Sequence, residues 1–133
     1  VGAVACDQNG NIAAATSTGG MTNKKWGRVG DSPMVGAGNY ANNKTCAISC
    51  TGSGEFFIRG VVAYDVACLI EHKNMSLNDA SNEVIHKRIL EIGGDGGLIA
   101  VNMQGEIAMP FNTEGMYRAR KSSNGEEEVA IYS

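Results

Sequence analysis

The 133-residue chain has no apolar run long enough to cross a bilayer and no strong excess of either charge. Eleven Lys and Arg stand against 14 Asp and Glu, for a formal net charge of −3. That balance argues against a nucleic-acid or anionic-membrane surface. The one basic cluster, Arg118 to Lys121, is followed at once by Glu126-Glu127-Glu128, so this end reads as a solvated tail. The four cysteines, Cys6, Cys46, Cys50 and Cys68, make no C-x-x-C pair. They read as buried, reduced thiols of an intracellular, cytoplasmic protein. His72 and His86 lack metal-ligand spacing and read as surface residues, and no metal site is expected. No Gly-Lys-Ser/Thr follows a glycine loop, which excludes a Walker A site. Gly36-Ala37-Gly38 lacks the third glycine and the following helix of a dinucleotide fingerprint. An obvious nucleophile is missing as well.

What is present is strand, turn and helix pattern around two polar, glycine-rich clusters. Val1 to Asp7 and Ile12 to Thr16 read as a hairpin about Asn9-Gly10, a dipeptide suited to positive φ. Residues 17–42 form a long connection, and such loops are uncommon unless they build a site. Thr45 to Thr51 is a strand. Glu55 to about Glu71 has helical periodicity, with Phe57, Ile58, Val61, Val62, Cys68 and Leu69 on one face. Asp65 falls inside that face and needs a basic or backbone partner. Ser76-Leu77-Asn78-Asp79 opens a second helix to about Ile92. Leu98 to Asn102 and Ile107 to Phe111 form a second hairpin, and Val129 to Tyr132 a short last strand. The strands Val1 to Ala5 and Leu98 to Val101 are small or apolar on both faces, as buried central strands are. Two helices cover only one side of the resulting sheet, so a partner is expected.

The first cluster is Thr16-Ser17-Thr18-Gly19-Gly20 with Gly27-Arg28-Val29-Gly30-Asp31-Ser32-Pro33; the second is Thr51-Gly52-Ser53-Gly54-Glu55. Arg28 and Asp31 on one glycine-bracketed turn either pair with each other or grip a ligand carboxylate and a ligand ammonium. The second cluster, where a strand gives way to a helix, is either a plain capped turn or a set of N–H donors for an oxyanion. Thr16, Ser17 and Thr18 either end a strand or orient a nucleophile.

Together with Val1-Gly2-Ala3-Val4-Ala5, Gly97-Leu98-Ile99-Ala100 and Pro110-Phe111-Asn112-Thr113-Glu114-Gly115-Met116, these clusters resemble the β subunit of the plant-type L-asparaginase/isoaspartyl peptidase family. Its members are N-terminal-nucleophile hydrolases. The resemblance runs through nearly the whole chain in order. It implies an α+β fold, an αββα sandwich of which residues 1–133 are the β half. It also implies an α subunit from the same precursor by autoproteolytic cleavage, and an (αβ)2 heterotetramer. The substrates implied are L-asparagine and β-aspartyl (isoaspartyl) dipeptides, cleaved through a β-aspartyl-threonine ester. By resemblance, Arg28 binds the substrate α-carboxylate and Asp31 its ammonium. Thr51 and Gly52 form the oxyanion hole, Gly54 shapes the pocket, and Thr18 hydrogen-bonds the nucleophile. No cofactor is implied for the chemistry, and a structural sodium would belong to the partner subunit.

The family's nucleophilic threonine would stand immediately before Val1, which is the first residue here. The start at Val1 is expected to follow from processing, with that threonine chemically modified; a trimmed, inactive chain is the alternative. Two other functions stay open at this point. Glycosylasparaginase shares the Gly-Arg-Val-Gly-Asp-Ser-Pro stretch but typically has Asn where Gly19 stands. A non-catalytic amino-acid-binding protein would keep Arg28 and Asp31 without a nucleophile.

Overall fold

The computed structural model describes residues 1–132. Strands β1 (Gly2–Cys6) and β2 (Ile12–Thr16) pair antiparallel from Gly2↔Thr16 to Cys6↔Ile12. Gly10 takes φ 81° in the connecting turn, as the Asn-Gly dipeptide requires. Strands β3 (Asn39–Ala41), β4 (Ala47–Gly52), β5 (Gly96–Val101) and β6 (Ile107–Ala108) form one antiparallel sheet in that order. A third pair, β7 (Arg118–Lys121) and β8 (Glu127–Ala130), closes the described chain.

The period-2 alternation of β4 and β5 sets the layers. Cys46, Ile48, Cys50, Leu98 and Ala100 belong to the core shared with the helices. On the opposite face Ser49 meets Thr16, their hydroxyls 2.6 Å apart, because the β1–β2 hairpin packs over β4 and β5. The chain thus has a helical layer, a four-stranded sheet and a hairpin layer. The hairpin's outer face carries Ala3, Ala5, Ala13 and Ala15, all exposed. β5 is buried as expected, but β1 is not: nothing in the described residues covers its outer side.

The helical layer is α1 (Gly54–Gly60), α2 (Val62–Lys73) and α3 (Leu77–Glu83), continued by a π-helical turn at Val84–Arg88 and α4 (Ile89–Glu91). Phe57, Ile48, Ile85, Ile89 and Leu98 are fully buried at its contact with the sheet. Each such side chain contributes about 1.5–3 kcal/mol by leaving water. Ser76 caps α3 by accepting from the Asp79 N–H at 3.1 Å, in line with the expected helix start. Asp65 is held by Arg88 Nη1 at 2.6 and 2.9 Å, the structural pairing its position demanded.

Besides β1, several expectations need correction: β3 lies inside the 17–42 segment expected to be an irregular connection, and Cys6 and Cys68 are only partly buried. The helix expected to run unbroken to Glu71 breaks at Val61, which adopts a left-handed conformation with φ 47°. Such a backbone costs a β-branched residue about 1–2 kcal/mol. The break lets α2 start against the 36–38 loop: the Ala63 and Tyr64 N–H groups donate to the carbonyls of Ala37 and Gly36, at 3.2 and 2.8 Å. The segment read as a solvated tail is instead the β7–β8 hairpin. Its opposite charges pair across the strands, Arg120 with Glu128 at 2.8 Å and Lys121 with Glu127 at 3.3 Å. Charges of opposite sign separated by a turn are as compatible with a cross-strand ladder as with a free tail.

Candidate active site

At the end of β2 the chain runs into Thr18 and Gly20; at the end of β4 it runs through Thr51 and Gly52 to Gly54, the first residue of α1. The loop carrying Arg28 and Asp31 crosses between these ends. Thr18, Arg28, Asp31, Thr51, Gly52 and Gly54 all line one cavity of about 220 Å³. A larger groove of about 940 Å³ along β1 and the β7–β8 hairpin holds none of the six. It too is lined by charged side chains, Asp7, Glu106, Arg120, Lys121 and Glu126, whereas the smaller cavity gathers the six residues that the glycine-rich clusters supply.

Arg28 and Asp31 do not pair with each other. Arg28 Nη2 donates to Glu55 Oε2 at 2.5 Å, a partner the motif reading had left without a role. Asp31 is 6 % exposed, and its Oδ2 has no hydrogen-bond partner among the described residues. Burial pushes its carboxyl above the ordinary aspartate range, against the opposing pull of its own backbone N–H and of the Arg28 and Lys24 charges. The unpartnered Oδ2 lies against Gly38, while Asp31 as a residue lines the cavity, and a buried carboxylate in such a wall suits a cationic ligand group.

Gly54 is what leaves Asp31 its room. A Cβ there would stand 2.7 Å from Asp31 Oδ1 and 3.0 Å from its backbone nitrogen. The loop itself is pinned from three sides: Asn39 Nδ2 donates to the Ser32 carbonyl at 2.7 Å, the Met34 N–H to the Asp31 carbonyl at 2.9 Å, and the Cys50 N–H to the Gly38 carbonyl at 2.8 Å.

Gly52 faces Gly96 across β4 and β5, with φ 148° and 143°. A Cβ on Gly52 would lie 2.7 Å from the Phe57 ring and 2.9 Å from Gly96 Cα, so only glycine fits. Asn112 fixes the partner strand: its Oδ1 accepts from the Gly96 N–H at 2.7 Å and its Nδ2 donates to the Ile85 carbonyl at 3.0 Å. Nothing local in the sequence assigns Asn112 this role, since its partners lie 16 and 27 residues away.

The hairpin register carries further. Val1 and Ser17 exchange two hydrogen bonds, Val1 N to Ser17 O and Ser17 N to Val1 O, both 2.8 Å. One more step in this register pairs the position before Val1 with Thr18. Thr18 Oγ1 accepts from the Gly20 N–H at 2.9 Å, leaving its own proton to donate. Val1 itself lines the cavity.

Cys50 also reaches this cavity, but burial raises its thiol well above the ordinary range, with the Asp31 carboxylate adding to the effect. Cys46 is pushed up to about 11 by burial. Neither is a thiolate at neutral pH.

The chain matches the asparaginase family over residues 1–131. It is 57% identical over 132 residues to the isoaspartyl peptidase of Escherichia coli (strain K12), covering 99% of this chain and 41% of that protein. It is 58% identical to the isoaspartyl peptidase of Salmonella typhimurium, covering 99% and 42%. The probable isoaspartyl peptidase/L-asparaginase 2 of Arabidopsis thaliana is 48% identical, over 99% of this chain and 40% of its own length. The chain therefore spans about two fifths of the length of the curated relatives it matches.

Proposed function

Because this chain belongs to the asparaginase family, we propose that it forms the substrate-gripping half of an N-terminal-nucleophile hydrolase acting on L-asparagine and β-aspartyl dipeptides. The relatives' names support that substrate class. The observation that carries the reading is Asp31: a buried carboxylate with one free oxygen, at a cavity that also holds Arg28, Thr18, Thr51 and Gly52.

In this reading Arg28 takes the α-carboxylate of an aspartyl group and Asp31 its ammonium. A threonine preceding Val1 is the nucleophile, and the hairpin register supports this by setting its position opposite Thr18. Its Oγ attacks the side-chain amide carbon while its own α-amino group takes the proton. The amide oxygen becomes an oxyanion held by Thr51 and the Gly52 N–H. Collapse breaks the C–N bond, the proton passes to the departing nitrogen, and ammonia or an amino acid leaves. Water then attacks the β-aspartyl ester, releasing aspartate and restoring the hydroxyl. The chemistry requires no cofactor.

The α subunit would come from the same precursor and lie over the outer hairpin face, completing the αββα sandwich in an (αβ)2 assembly in the cytoplasm. A flat alanine face suits close packing of helices. Any structural sodium would be held by that subunit.

The test is to measure ammonia released from L-asparagine and leucine released from β-aspartyl-leucine by the intact protein and its Arg28→Ala variant. Losing charged hydrogen bonds to a carboxylate should raise KM about 100-fold. Unchanged kinetics in the variant, or no turnover of either substrate by the unaltered protein, overturns the reading.

A further inference from the structure

Three charged side chains line the cavity: Lys24, Arg28 and Asp31. Glu55 lies outside the lining and neutralises Arg28 from behind through Nη2. That contact orients the guanidinium and leaves Nη1 free to meet a ligand. Lys24 is different. It is half-buried, and among the described residues no carboxylate lies within ion-pair distance of its ammonium. Its backbone N–H closes a turn onto the Met21 carbonyl at 3.0 Å, and its stem passes close over Gly20.

Gly30 shows where the two cations point. Arg28 Nη1, the terminal nitrogen not taken by Glu55, and Lys24 Nζ each lie 3.7 Å from the spot a Gly30 Cβ would occupy. The two nitrogens are therefore within about twice that distance of each other, beside a residue with no side chain. A carboxylate can bridge such a gap, each oxygen accepting from one nitrogen at about 2.8 Å.

We infer that Lys24 is a second cation of the carboxylate subsite, sharing the ligand's α-carboxylate with Arg28. The inference rests on the functional reading above and deepens it. With Arg28 balanced by Glu55, the charges left facing the cavity are one ammonium, from Lys24, and one carboxylate, from Asp31. That pair complements a zwitterionic α-amino acid. A substrate whose α-carboxylate is amidated or esterified loses the negative charge and one of the two acceptor oxygens that the cations engage, and is discriminated against.

The test compares calorimetric binding of L-aspartate and of L-aspartic acid α-amide to the intact protein and to Lys24→Met and Lys24→Arg. Lys24→Met should weaken L-aspartate about tenfold or more and leave the α-amide unchanged; Lys24→Arg should recover most of the loss. KM for L-asparagine should follow the same order with kcat nearly constant. Equal weakening of both ligands would mean that Lys24 only balances Asp31 or shapes the loop, and overturns the inference. So does no weakening of either. Binding of L-aspartate without turnover of any amide would sink the hydrolase reading and leave Lys24 to be judged by the binding data alone. If the unaltered protein binds neither ligand, the carboxylate subsite and this inference fall together.

Discussion

On one face of β4, Cys46, Ile48 and Cys50 meet a helical layer whose large side chains are wholly buried. On the other face Ser49 meets a threonine hydroxyl, and the strand runs out beside a cavity with a buried carboxylate oxygen that nothing partners. Around that cavity the loop exposes Met21, Trp26, Val29 and Val35. The first face satisfies itself; the second holds groups whose partners lie elsewhere. A protein tolerates a desolvated carboxylate only where something else returns the energy, which marks that region as built for binding rather than for stability.

The contrast is broken most severely from the helical side. Phe57→Ala should remove about 3–5 kcal/mol of stability, a large share of the usual 5–15. Thermal unfolding would show a large drop in Tm, and a drop of only a degree or two would mean that the core is not centred where the buried side chains place it. Gly54→Ala strikes the other side, three residues away. Its methyl would displace the Asp31 carboxylate, so catalytic efficiency should fall about 100-fold, from the loss of a charged contact worth roughly 1.5–3 kcal/mol. Tm should change far less than in Phe57→Ala, and comparable losses in the two variants would erase the distinction between the faces.

The smallest effect has the most telling sign. Burial raises the Asp31 carboxyl in the folded protein, so the folded state holds that proton more tightly than the unfolded chain. Its contribution is therefore most favourable at low pH. It is lost as pH rises from the ordinary aspartate value through the raised one. Asp31→Asn removes that loss. The variant should gain Tm over the unaltered protein across this window, keep the gain above it, and fail to bind L-aspartate. A variant less stable at neutral pH would mean that Asp31 serves the fold. Scanning calorimetry across the acid range, with and without L-aspartate, measures both parts.

Much of this architecture was legible along the chain. The Asn9-Gly10 turn, the Ser76 cap and the hairpin from β5 to β6 depend on residues a few positions apart, and local backbone preference decides them. The six residues drawn from the two glycine-rich clusters do converge on one cavity. The break at Val61 was not legible, because valine is a poor choice for a left-handed residue, and its conformation is imposed by the docking of α2 on the 36–38 loop. Nor was the β7–β8 ladder, since mixed charges on either side of a turn pair only if the backbone folds back.

The order of amino acids by itself settled the β1–β2 and β5–β6 hairpins, strand β4 and the start of α3, and which polar residues would stand at their ends, because periodicity and turn chemistry act over one or two turns of chain. Only the folded molecule decided that Arg28 pairs with Glu55 and not with Asp31, that Asp31 keeps an oxygen free, that Asn112 braces Gly96, and that Lys24 faces the same bare glycine as Arg28. Two of these contacts, Arg28 with Glu55 and Asn112 with Gly96, join residues 27 and 16 positions apart. The ones closer in sequence depend on how the 17–38 loop is wedged between β4 and α2, and so on packing, which no local pattern encodes.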